Sequence, residues 1–230
     1  MKKLFLFFIT LFCVRACFAQ DTVEVKNKLT DSVIEKFYVL KADGKTRQGP
    51  YRAYFKRKIT VAAGQYTNNQ RSGIWNFYET DGRLVERYNF TTSEFLYEGP
   101  LKKNTGIGFL FDKDIAVTDT VTRPVKIGGG YFSFVPYVSM FRVPFDTFDV
   151  STNLFNVYIE LLVTPLGRLA DYKVHLSSNY YQYFRVFNLD VKLFSEADRT
   201  FIPATVNHLP SLCRIAIRCR LNDNGSLDLY

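Results

Sequence analysis

Histidine occurs twice in this chain, at His175 and His208, and tryptophan once, at Trp75. Cysteine occurs four times, and two of those, Cys13 and Cys17, fall in an N-terminal segment with the marks of a leader. This scarcity leaves little for nucleophilic or metal chemistry. Cys213 and Cys219 sit at the two ends of one alternating stretch, roughly 20 Å apart if it is a strand, too far for a disulfide or a shared zinc ion. They read as buried thiols or as intermolecular candidates. The chain has no Gly-x-Ser-x-Gly elbow, no His-Glu-x-x-His and no phosphate-binding loop. Asp171 and Asp190 read as solvated or capping carboxylates and not as a paired acid and base. No catalytic residue, metal ligand or cofactor is expected. Without a Lys/Arg-rich tract, nucleic acid is not expected as a partner either.

No apolar run is long enough to span a bilayer. The longest, Leu4 to Val14, has eleven residues and ends at Arg15, against the roughly 20 that a transmembrane helix needs. Preceded by Met1-Lys2-Lys3 and followed by a small residue at Ala19, it reads as a secretory signal peptide over residues 1–20. A second reading takes Val14-Arg15-Ala16-Cys17 as a lipoprotein box with Cys17 lipidated, to which Arg15 is a poor fit. Either way the mature chain is expected to be exported, to the periplasm or the outer membrane. Without Lys2, Lys3 and Arg15 the formal net charge falls from +8 to +5, which suits anionic surfaces without demanding one. Apolar content of 47% with 17% aromatic residues rules out a disordered chain.

What the chain does have is a repeat. Gly49-Pro50-Tyr51-Arg52-Ala53-Tyr54 and Gly73-Ile74-Trp75-Asn76-Phe77-Tyr78 share the frame Gly-x-aromatic-x-x-Tyr at an offset of 24 residues. The same offset carries Arg47 to Arg71 and Tyr66 to Phe90, while Gly64 maps to Tyr88 and its glycine is lost. Asp43-Gly44 and Asp81-Gly82 are tight-turn dipeptides. Such a unit is a strand pair whose aromatic face needs stacked neighbours, so Trp75 is expected to be a buried stacking residue. Asp43-Gly44-Lys45, Gly49-Pro50-Tyr51, Gly64-Gln65-Tyr66, Gly73 to Tyr78 and Asp81-Gly82-Arg83-Leu84 together resemble the MORN-repeat family over about residues 40–98. Glu98-Gly99-Pro100, with Gly106 and Gly108, reads as a degraded third unit. The resemblance implies stacked β-hairpins over residues 21–100, used as a scaffold or contact surface, and no catalytic residue.

Residues 101–127, punctuated by Lys102-Lys103-Asn104 and Thr118-Asp119-Thr120, read as a linker. Beyond Gly128-Gly129-Gly130, Ser133 is placed to cap a helix with Pro136 in its first turn, running to Phe141 and ended by Pro144. Phe155, Val157, Ile159, Leu161 and Val163 line one face of a strand, Pro165-Leu166-Gly167 turns it, and Leu169 to Leu176 returns antiparallel. Residues 180–198 fit both periods: Tyr180, Phe184, Phe187, Val191 and Phe194 step as a helix does, while Phe187, Leu189, Val191 and Leu193 alternate.

"VTPLGRLADYKV" (163–174), "FNLDVKLFSEADRTFIPA" (187–204) and "SLCRIAIRCRL" (211–221) resemble the C-terminal domain of TonB, the periplasmic energy transducer of transport across the outer membrane. Val163-Thr164-Pro165-x-Gly167-Arg168 matches its hairpin, and Phe201-Ile202-Pro203-Ala204 stands where that family has aromatic-x-Pro-Gly. The resemblance covers about residues 128–222 and implies a domain over 128–230. Its implied form is a three-stranded antiparallel sheet carrying two helices, which tips 180–198 toward helix. The fold class expected is thus β-rich α+β. The resemblance also implies a binding mode, in which an extended partner segment adds a strand to an open sheet edge. The expected edge is the last strand, with Arg214, Ile215, Ala216, Ile217 and Arg218 as partner-binding residues and an envelope protein or an outer-membrane receptor segment as partner. A short cleavable leader and no Pro-rich spacer leave no means of transmitting force from the inner membrane. The alternative is a peptidoglycan or glycan-binding protein, suggested by the aromatic content and the positive charge.

Overall fold

Strand periodicity around Trp75 becomes a seven-stranded antiparallel meander in a computed structural model that describes residues 21–100, 106–144 and 151–230. The leader over 1–20 lies outside the described residues. The strands follow chain order: β1 (Thr22–Lys28), β2 (Val33–Leu40), β3 (Arg47–Phe55), β4 (Ile59–Thr67), β5 (Gln70–Tyr78), β6 (Leu84–Asn89) and β7 (Glu94–Glu98). Local chemistry closes each hairpin. The Asp43 carboxylate accepts from the N–H groups of Lys45 and Thr46, both at 2.9 Å, while Gly44 takes a φ of 62°. Asn68 and Asn69 adopt φ values of 49° and 67° between β4 and β5, a conformation that asparagine tolerates better than most residues.

One face of this sheet is buried, through Phe37, Tyr51, Trp75, Phe77 and Tyr88 among others. The 24-residue frame is visible in space. Tyr51 and Trp75 lie with ring centroids 5.1 Å apart, and the Trp75 ring covers Gly64 so closely that a Cβ there would sit 2.2 Å from it. The indole Nε1 donates to the carbonyl of Gln65 at 3.1 Å. Trp75 is therefore buried, as expected of a stacking residue.

The segment 106–127 is not a free linker. It supplies β8 (Ile107–Phe111), which joins the second sheet, and β9 (Val121–Thr122). Next come a 3-10 turn at Phe132–Phe134 and a short helix, α1 (Val135–Ser139). Pro136 sits in the first turn of α1 as expected, but the Ser133 hydroxyl donates back to the carbonyl of Gly129 and caps nothing.

The remaining strands are β10 (Asn156–Val163), β11 (Leu169–Ser178), β12 (Tyr183–Leu189), β13 (Ala204–Val206), β14 (Leu209–Ser211), β15 (Cys213–Leu221) and β16 (Leu227–Leu229). The second sheet runs β12-β11-β10-β15-β16, with β8 also beside β15. A small third sheet runs β14-β13-β9. The expected antiparallel pair β10 and β11 is present, with Ile159 opposite Val174. The expected three strands and two helices are not what the described residues show: this sheet has six strands, and α1 is the one α-helix. Residues 180–198 resolve as β12 followed by a 3-10 turn at Val191–Leu193, not as a helix. A tertiary contact breaks the tie between the two periods. Phe187 packs on Phe141 at 5.1 Å while β12 hydrogen-bonds along β11, and Asp190 caps the turn by accepting from the N–H of Lys192.

The two large sheets share one apolar core. The Phe132 ring lies 6.3 Å from Tyr51 and 6.0 Å from Phe77, and buried residues run without interruption from Val33 to Leu229. Among the described residues no helix is long and apolar enough to cross a membrane.

Candidate functional site

The strand expected to offer a free edge does not have one. Along β15, Ala216 lies opposite Glu160 of β10 on one side and Gly108 of β8 on the other, and β16 continues the pairing from Cys219 to Leu221. Ile215 and Ile217 face the core, so neither is available to a partner. The arginines on the opposite face have internal work. Arg214 pairs with Asp112, just past β8, and lies 3.6 Å from Glu160, while the Arg218 guanidinium lies 5.1 Å from the Tyr230 ring. The assignment of Arg214 to Arg218 as an edge site is therefore corrected: β8 already occupies that edge. A signal for this was present in Ile107, Phe109 and Phe111, whose alternation is that of a short strand. Cys213 and Cys219 are buried free thiols, and burial pushes them up to about 11 and about 12.

An open edge lies at the far side of the same sheet. β12 pairs with β11 and, among the described residues, with no other strand. Aromatic side chains stand exposed beside it: Phe184 is 71% exposed and Tyr180, in the turn before it, 75%. Asn188 and Arg185 are also exposed, whereas Phe187 turns inward.

His175 is on β11, stacked on Tyr158 at 4.2 Å with ring planes 9° apart, its Nε2 3.4 Å from Glu160. Burial lowers its proton affinity, and the Glu160 carboxylate partly offsets that. His208 occupies the positive-φ turn between β13 and β14. Neither lines the cleft described next.

A cleft of about 820 Å³ opens between the arginine-bearing end of the first sheet, where β3 and β5 begin, α1 and the loop at 195–198. Its first wall is built from repeat-related residues. Arg47 lies over the rings of Phe37 and Tyr66, at 4.0 and 5.3 Å, and Arg71 over Trp75 and Phe90, at 4.8 and 5.4 Å. Arg47 is ion-paired to buried Glu35 at 3.1 Å. Across the cleft, Lys126 donates to the carbonyl of Ala197 at 2.6 Å and lies 3.7 Å from the Asp198 carboxylate.

Behind the cleft Glu86, almost fully buried, accepts from the N–H groups of Gly128 and Gly129 at 2.8 and 3.2 Å, which ties the glycine run to the first sheet. Desolvation raises Glu86 from 4.5 to about 7 and lowers Lys126 from 10.5 to about 8. The folded chain holds the Glu86 proton more tightly than the unfolded chain, so this stabilisation is full below pH 4.5 and lost as pH rises through about 7. Lys126 acts oppositely: its stabilisation is full above pH 10.5 and lost as pH falls through about 8. The contributions of these two groups are therefore both smallest between about pH 7 and 8, each with a slope of up to about 1.4 kcal/mol per pH unit outside that window. Thermal melts of the parent and of Glu86→Gln from about pH 4.5 to 10.5 test this: the substitution should remove the Glu86 contribution on the acid side and leave the basic side unchanged.

Comparison with protein-family models, with curated proteins and with solved structures finds no match to the chain.

Proposed function

We propose that this chain is a non-catalytic, exported protein of the cell envelope, resident in the periplasm or at the outer membrane. In this reading the MORN-like hairpin sheet is the scaffold, and the TonB-like C-terminal sheet captures an extended segment of an envelope protein by strand addition at β12. One observation carries the proposal: among the described residues β12 has a strand neighbour on one side only, and exposed aromatics stand on it and in the turn before it. Main-chain N–H and C=O groups along such an edge must be satisfied by water or by an incoming strand. The incoming strand gains affinity from the backbone and specificity from side chains such as Phe184. A glycan-binding role finds less support, because Tyr51, Tyr66 and Trp75 are buried and the faces of Tyr66 and Trp75 lie beneath Arg47 and Arg71.

Successive residues of a strand point their N–H groups to opposite sides, so one of Arg185 and Val186 donates outward and the other into β11. Proline at the outward position is expected to leave the chain folded and abolish capture of envelope protein in a pull-down. Proline at the inward position should destabilise the sheet. If the proline variant that stays folded captures as well as the parent, strand addition at β12 is wrong.

A further inference from the structure

We propose that the cleft between the first sheet and α1 is a binding site for a small organic monocarboxylate with an apolar body, independent of the β12 edge. The charges around the cleft pair off with one exception. Arg47 is matched by Glu35 and Lys126 by Asp198, while Glu196 at the rim is held by Arg168 and Arg199, which lie outside it. That leaves Arg71, which makes no ion pair among the described residues. Its guanidinium lies over the rings of Trp75 and Phe90 and is half-buried at the cleft wall.

A planar guanidinium seated on aromatic faces keeps its N–H fork at the rim, and a carboxylate matches that fork with two parallel hydrogen bonds. One unmatched cation at the cleft wall calls for one negative charge. A phosphate dianion would carry a surplus charge into surroundings that solvate it poorly. The rest of the ligand is set by the lining beside Arg71: Tyr66, Phe90, Phe132 and Val135 present apolar surface. The volume, about 820 Å³, suits a small molecule. The site is also built to be fixed in place, because Arg71 rests on a fully buried ring and the opposite wall belongs to the same core.

Trp75 is the only tryptophan of the chain and lies directly beneath Arg71, so its emission reports on the site. The test is a titration of the full chain, by calorimetry and by Trp75 emission, with benzoate, phenylacetate and cinnamate. Each is run against its neutral amide, and inorganic phosphate serves as a further control. At least one of the carboxylates is expected to bind saturably, with its amide and phosphate weaker by about tenfold or more. Arg71→Gln should lose a similar factor, and Arg71→Lys, which keeps the charge but not the fork, should fall between. Absence of saturable binding by all three carboxylates, equal binding of acid and amide, or unchanged binding by folded Arg71→Gln would each overturn the proposal. If Arg71→Gln does not fold, the acid and amide comparison on the parent chain decides the matter alone.

Discussion

Replacing Trp75 by alanine is expected to cost the folded chain about 3 to 5 kcal/mol, a large share of the roughly 5 to 15 kcal/mol that holds a domain together. The ring is completely buried and touches four others, those of Tyr51, Tyr66, Phe77 and Phe90, at centroid distances of 5.1, 5.3, 6.0 and 5.7 Å. Its removal empties the centre of the aromatic stack and leaves the Gln65 carbonyl without its indole donor. Gly64→Ala attacks the same contact from the other side, since the added methyl would meet the ring at 2.2 Å and neither partner has room to retreat. The two changes should therefore be strongly non-additive, with Gly64→Ala costing much less in the absence of Trp75. Denaturant unfolding of the four chains measures this. A Trp75→Ala chain that melts within a degree or two of the parent would contradict the stacking role.

Ala216→Pro is expected to be comparably damaging, and for a reason the sequence alone would have hidden. On a free edge strand, proline at an outward N–H is tolerated. Ala216, however, has a strand on each side, so its N–H lies in a ladder whichever way it points. Proline deletes that bond, orphans a carbonyl opposite and forces its ring into a packed sheet, together about 3 kcal/mol or more. Circular dichroism and thermal melts should show the second sheet lost or severely weakened. A stable, folded Ala216→Pro chain would mean that β8 is not bound to β15 as described.

Much of the first sheet was legible because its signals are local. The Gly-x-aromatic frame, the Asp-Gly turns and the 24-residue offset each act within a hairpin, and the buried faces of β10, β11 and β15 follow from simple alternation. What stayed hidden depended on distant partners. β8 is five residues with a glycine before it and another within it, and only the presence of β15, about a hundred residues later, gives it a place. Residues 180–198 carry both periods, and contact with β11 and Phe141 selects the strand. The pairing of Arg47 with Arg71 could be read from the repeat, but not the cleft they wall, since α1 and the loop at 195–198 close it from elsewhere in the chain.

The central functional claim is that β12 receives the partner. Its most direct test is photo-crosslinking in the native cell envelope, with Phe184 replaced by a photoreactive phenylalanine analogue and, in a parallel chain, Leu110 of β8 replaced in the same way. Both positions are exposed, on strands at opposite sides of the sheet. Strand addition at β12 predicts adducts from position 184 to one contiguous stretch of an envelope protein, lost when proline occupies the outward-facing position of β12, and none from position 110. Adducts from position 110 without any from position 184 would contradict the account.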